Sequence, residues 1–266
     1  MSQQKAPLSV RFTRIARLAS WLWRTGSELR NLTPGDDAQR NRALFRLGQG
    51  AIDAIGIELD IHGQEKAAQT TQKGILVVSN HVSWLDIFAM SMLYPSSFIA
   101  KQEIKNWPIF GKMGTNAGTV FINRNTRKDI APINAAITEA LNHGRNVSFF
   151  PEAQTSLGLS LLPFKAALFQ SAIDSGSTIQ PLALRYYDIN GNRTILPSYA
   201  GHMNLFKSLW QIVSMPKLRI RIDYETPYTA AEHPEADRYA LKDIAEVQIK
   251  NSVLEDSPEK TAAESA

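Results

Sequence analysis

His81 and Asp86, five residues apart in ILVVSNHVSWLDIFAM (75–90), are a pairing suited to acid–base chemistry. A carboxylate bonded to one imidazole nitrogen fixes the tautomer and raises the basicity of the other nitrogen. On one continuous helix, five residues subtend about 140°, and the two side chains would diverge. They meet only if His81 stands on the turn before a helix and Asp86 in its early turns. The apolar run Ile75–Val78 predicts a strand ending just before His81, and Ser83-Trp84 predicts a helix start just after it. That arrangement makes a general base. The alternative reading is a helix-capping histidine beside an ordinary first-turn acid at the positive end of the dipole.

Two further strand ends carry polar groups. Ile122 runs into Asn123-Arg124, and Phe150 runs into Pro151-Glu152. In open α/β sheets ligands bind beyond the carboxyl ends of strands, so a histidine, an arginine and a glutamate are expected on one rim. The elements that would hold them alternate. Strands are predicted near 57–63, 75–78, 97–100, 119–122, 146–150, 178–185 and 218–224. Helices are predicted near 38–55, 84–92, 105–113, 129–142, 165–174 and 236–250. This pattern implies one α/β domain with a mixed, largely parallel sheet flanked by helices.

The four motif blocks together carry a family resemblance. Asn80-His81-x-x-x-x-Asp86 resembles the first signature of the glycerolipid acyltransferases of the 1-acylglycerol-3-phosphate acyltransferase type. GTVFINR (118–124), FPEAQTS (150–156) and IQPLA (179–183) resemble the second, third and fourth, in order and at matching spacing. The third block departs from the family, which usually has glycine and threonine where Ala153 and Gln154 stand here. Alanine does not take positive φ as cheaply as glycine, so the departure bears on contact with the acceptor.

The resemblance implies the glycerolipid acyltransferase fold and transfer of an acyl group from acyl-CoA or acyl-carrier protein to the hydroxyl of lysophosphatidic acid. It makes His81 and Asp86 the catalytic pair, with Asn80, Arg124, Glu152, Ser156 and Lys101 as substrate-binding residues; for Glu152 the alternative is a salt bridge that only holds the loop. Backbone N–H groups following His81 are the expected oxyanion donors. Other lyso-acceptors, such as lyso-ornithine lipid or a lysophospholipid, are an alternative, as are thioester hydrolysis and a non-catalytic lipid-binding protein on the same fold. Bacterial origin and a place on the cytoplasmic face of the inner membrane are also what the resemblance implies.

Composition excludes other chemistries. With no cysteine among 266 residues, there is no disulfide, cysteine-ligated zinc or thiol nucleophile. His62, His143, His202 and His233 lack partners at ligand spacing, and H-E-x-x-H is absent, so no metal and no cofactor are expected. The basic residues lack the interleaved aromatics of a nucleic-acid reader. No apolar run reaches the roughly 18–20 residues of a spanning helix. Arginines at 11, 14 and 17 interrupt any signal-peptide core.

Residues 1–30 carry six basic side chains against Glu28 alone. Within VRFTRIARLASWLWRT (10–25), Phe12, Ile15, Leu18, Ala19, Leu22 and Trp23 fall on one side of a helix. That face suits either an anionic membrane interface or the protein's own core. Three regions are therefore expected: a basic amphipathic helical region at 1–44, the acyltransferase domain at 45–250, and a disordered acidic tail at 251–266.

Overall fold

The computed structural model describes residues 5–33, 35–70, 72–106, 110–122 and 130–259, with backbone alone at 100, 101, 104, 110, 113 and 122. Its strands are β1 (Ile57–His62), β2 (Leu76–Ser79), β3 (Ser96–Lys101), β4 (Val120–Ile122), β5 (Asn146–Phe149), β6 (Ile179–Tyr187) and β7 (Leu218–Tyr224). They form one seven-stranded sheet in the order β1-β7-β6-β2-β5-β3-β4. Neighbours are parallel from β6 through β2, β5 and β3 to β4. β7 runs antiparallel to β6 and parallel to β1. The sheet is thus mixed and largely parallel, as the alternation of elements predicts.

The central strands read as apolar runs because both their faces are covered. Val77 joins a core built with α1 (Leu8–Arg30), α2 (Asp37–Ile55) and α3 (Leu85–Leu93). Its neighbours Leu76 and Val78 face the opposite core, filled from α5 (Ile130–Asn142) and α8 (Arg238–Leu254). Helices α4 (Phe110–Asn116), α6 (Gln170–Ser175) and α7 (Leu205–Val213) complete the layers. Helix α2 ends on Gly56 at φ 77°, a left-handed stop that glycine supplies without steric cost.

Three features differ from the expectations. Helix α7 is an addition to the predicted elements: Asn204 caps it by accepting from the Lys207 N–H, and Ile212 and Val213 bury its inner side. Helix α2 crosses residue 45, and Trp21 of α1 donates to the Leu47 carbonyl at 3.1 Å, so the N-terminal helices are built into the core through residue 55.

The tail expected to be disordered is ordered through residue 259. Helix α8 continues to Leu254, and Asp256 accepts from Arg185 (3.0 Å), Arg193 (2.7 Å) and Tyr187 (2.6 Å). Composition alone missed this because the acids have a specific partner. Arg185 is 1% exposed, and a buried guanidinium requires carboxylates, supplied by Asp223, Glu255 and Asp256.

Candidate active site

Strand β2 stops at Ser79, and the chain turns through residues 80–84 before α3 begins at Leu85. The turn places His81 ahead of the helix and Asp86 in its first turn. Imidazole Nδ1 of His81 donates to Asp86 Oδ2 at 2.8 Å. The same oxygen accepts the backbone N–H groups of Val82 (2.7 Å) and Ser83 (2.9 Å). The other oxygen, Oδ1, accepts the Tyr186 hydroxyl. Four donors therefore surround a carboxylate that is fully buried. Charge-assisted bonds of this kind offset the cost of taking a carboxylate out of water.

The His81 ring is held on its flat side as well. It stacks on Phe150 with centroids 3.8 Å apart and planes 7° from parallel, and Phe150 in turn packs on Phe98 at 6.2 Å. The side chain keeps 18% exposure, and its Nε2 has no hydrogen-bond partner among the described residues. The ring is thus oriented at Nδ1 and open at Nε2.

The loop after β5 grips the backbone of the same histidine. Glu152 Oε1 accepts the His81 N–H at 2.6 Å, and Oε2 accepts the Leu162 N–H at 2.9 Å. The Ser156 N–H donates to the His81 carbonyl at 2.8 Å, with its hydroxyl at 3.3 Å from the same oxygen. Burial, helped by the nearby Asp86 charge, pushes the Glu152 carboxyl up to about 7 against the opposing pull of the two backbone donors.

Of the residues expected to bind acceptor, Glu152 is buried and engaged with the protein's own backbone, so the loop-holding role is the one its contacts describe. Asn80 is also fully buried. Its amide donates to the Leu184 carbonyl (2.9 Å) and accepts the Leu184 N–H (2.8 Å), tying the end of β2 to β6. Both of its polar ends are spent on the fold, which corrects its expected place against the acceptor. Ser156 remains half-buried beside His81. Lys101 ends β3, and its side chain is not described. Arg124 lies outside the described residues.

The expected oxyanion donors need correction too, because the Val82 and Ser83 N–H groups are taken by Asp86. Ala153 adopts φ 63°, the positive-φ non-glycine residue among those described. It keeps the backbone shape that the family's glycine would give. The Thr155 hydroxyl donates to the Tyr199 carbonyl at 2.9 Å, and Gln154 is exposed.

Tyr186 was not anticipated. It lies one residue beyond the predicted end of β6, on the side of the strand shared by Leu182 and Leu184. A tyrosine at strand spacing from Leu182 and Leu184 is the signal that could have revealed it, because a buried phenol requires a partner.

Residues 58–185 match the Acyltransferase family. The chain is 57% identical to the 1-acyl-sn-glycerol-3-phosphate acyltransferase of Neisseria meningitidis serogroup B, over 97% of this chain and 98% of that protein. The chain belongs to the 1-acyl-sn-glycerol-3-phosphate acyltransferase family. As a member of it, the protein is an enzyme that transfers acyl groups, which sets aside the non-catalytic reading. A lyso-ornithine lipid O-acyltransferase of Pseudomonas aeruginosa is 35% identical over 64% of this chain and 62% of its own length. The crystal structure of the 1-acyl-sn-glycerophosphate acyltransferase of Thermotoga maritima shares the fold, with a TM-score of 0.69 at 18% identity over 93% of this chain and 95% of that one. The acyltransferase fold expected from the four motifs is therefore the observed one.

Proposed function

We propose that this acyltransferase moves a fatty acyl group from acyl-CoA or acyl-carrier protein to the free hydroxyl of lysophosphatidic acid, giving phosphatidic acid. The observation that carries the reading is the His81 ring, bonded to Asp86 through Nδ1 and open at Nε2. In this reading Nε2 takes the proton of the acceptor hydroxyl as the hydroxyl oxygen attacks the thioester carbonyl. The tetrahedral intermediate then collapses, the carbon–sulfur bond breaks, and the imidazolium returns the proton to the departing thiolate. Buried Asp86 stabilises the imidazolium and keeps its Nδ1 proton in place. No acyl-enzyme is required, which accords with the absence of cysteine.

Arg124 and Lys101 are assigned to the acceptor phosphate, Arg124 because a guanidinium matches phosphate oxygens in pairs. Ser156, beside the His81 backbone, is assigned to an acceptor hydroxyl. The near full-length relatives named for 1-acyl-sn-glycerol-3-phosphate favour this acceptor. The lyso-ornithine lipid enzymes are matched over a shorter span and stand second. The working site is the cytoplasmic face of a bacterial inner membrane, held by the N-terminal region. No helix among the described residues is long and apolar enough to cross a membrane.

The test follows free thiol and lipid product together, using purified protein, acyl-CoA or acyl-carrier protein, and a panel of lysolipids. His81→Ala is expected to lower turnover roughly 10²–10⁴-fold, the size of a general-base contribution. Product from lyso-ornithine lipid alone would move the assignment to the second acceptor. Thiol release without lipid product would make the protein a thioesterase in practice.

A further inference from the structure

Helices α1 and α7 are distant in sequence and bolted together in space. The Arg14 guanidinium donates to three carbonyls at the end of α7: Val213 (3.0 Å), Met215 (2.5 Å) and Pro216 (3.1 Å). The Ala6 N–H donates to Ser214 O at 2.8 Å. Phe12 meets Trp210 edge-on at 6.4 Å, and Arg11 lies over the same indole at 5.5 Å. The other end of α7 is tied to the candidate site. Trp84, three residues after His81, donates to Ser208 Oγ at 3.0 Å, and the Tyr199 N–H donates to the Val82 carbonyl at 2.8 Å.

This rigid pair turns large apolar side chains to solvent. Leu8 and Phe12 are well exposed on α1, and on α7 Phe206 is 84% and Trp210 44% exposed. Basic groups surround them. Lys5, Lys207 and Lys217 line a cleft of about 780 Å³ beside Trp210, with Asp188 as the acid there. An apolar ridge flanked by lysine and arginine is complementary to an anionic lipid surface, where rings enter the acyl boundary and cations meet headgroups.

We propose that α7 is a second membrane-docking element, packed beside α1 and acting with it. Phe206 and Trp210 enter an anionic bilayer beside Leu8 and Phe12, and the His81 rim is thereby turned toward the lipid that carries the acceptor. The inference rests on the reading of the enzyme as acting on a lysolipid.

The absence of cysteine allows a direct test on the full chain. Phe206→Cys and Val247→Cys are each labelled with an environment-sensitive fluorophore. Val247 is 57% exposed on α8, across the sheet from α7. Vesicles of phosphatidylcholine with phosphatidylglycerol are expected to shift the label at 206 to the blue and shield it from a soluble quencher. The label at 247 is expected to stay in water. Vesicle binding that leaves the label at 206 in water overturns the proposal, as does a failure to bind. A shift at 206 that needs only higher protein concentration overturns it in favour of a second copy of the chain.

Phe206→Ser supplies the second readout. It is expected to lower activity on vesicle-borne acceptor about tenfold, the scale of one lost phenyl burial. Activity on a monomeric short-chain lysophosphatidate should be unchanged. Equal loss on both presentations overturns the proposal. Wild-type inactivity on every acceptor would instead sink the proposed function, while the fluorescence would still report docking.

Discussion

At the scale of single residues, the site is governed by how many donors one carboxylate holds. Asp86 accepts from His81, Val82, Ser83 and Tyr186, so deleting one donor leaves a buried acceptor short of a partner. Tyr186→Phe is expected to cost about 1–3 kcal/mol of stability, the penalty of an unsatisfied buried group. Turnover should fall as well, because Asp86 orients the imidazole. Paired denaturant melts and rate measurements check both; an unchanged Tm with unchanged rate would remove Tyr186 from the site.

Glu152 sets a pH dependence of the fold. Its carboxyl is raised from 4.5 to about 7, so the folded state holds this proton where the unfolded state has lost it. The stability it contributes is fully present below pH of about 4.5, is lost as pH rises through about 7, and is flat beyond that. Over that window wild type should lose on the order of 3 kcal/mol relative to Glu152→Gln. Urea melts of both proteins at the two ends of the window measure the difference.

Ala153 carries its left-handed φ of 63° at a steric cost of about 1–2 kcal/mol. Ala153→Gly removes that cost and adds about 0.4–1 kcal/mol of unfolded-state entropy. The variant should therefore be neutral to slightly more stable, and a calorimetric Tm well below wild type would contradict the strain argument.

At the scale of elements, the end of α8 braces the loop that grips His81. Arg193 bonds both Asp256 and the Gly158 carbonyl, while Ser257 donates to Leu159 O at 2.6 Å. Ending the chain after Leu254 removes Glu255, Asp256 and Ser257 together. Arg185 then loses two of its three carboxylates, and about 3 kcal/mol of stability is expected to go. Activity should fall further than stability alone explains, because residues 156–162 lose their brace; a kcat equal to wild type at low temperature would argue against the coupling.

These elements also show what could be read without coordinates. Strand ends at Val78 and Phe150 were visible as apolar runs meeting polar residues, and the His81–Asp86 contact follows from a turn before a helix. The Asn80 and Glu152 contacts were not visible, because their partners are backbone groups of Leu184, His81 and Leu162, which no side-chain pattern announces. Helix α7 escaped because it is 9 residues long, shorter than the window over which helical spacing stands out from its flanking loops. The acidic tail looked disordered by composition, and only the buried Arg185 reveals why it is not.

At the scale of the whole molecule, charge and apolar exposure are concentrated together. Helix α1 has two apolar faces: Leu18, Trp21 and Leu29 are buried, while Phe12 and Trp23 are exposed. The core reading holds for the buried face, and the exposed face is the one assigned above to the bilayer.

The parallel pairing of β1 with β7 has a consequence for how the protein is made. Ile57 lies opposite Leu218, about 160 residues later in the chain. A ribosome delivers β1 long before its partner, and the three carbonyls that receive Arg14 also arrive late. Through most of synthesis, β1 has no partner strand and Arg14 has none of its three carbonyls. Closure of such distant pairs is slow, and unpaired edges invite wrong partners meanwhile. Residues 8–62 therefore leave the ribosome well before the partners that fix their place, and their apolar side chains wait uncovered until residues 213–224 follow.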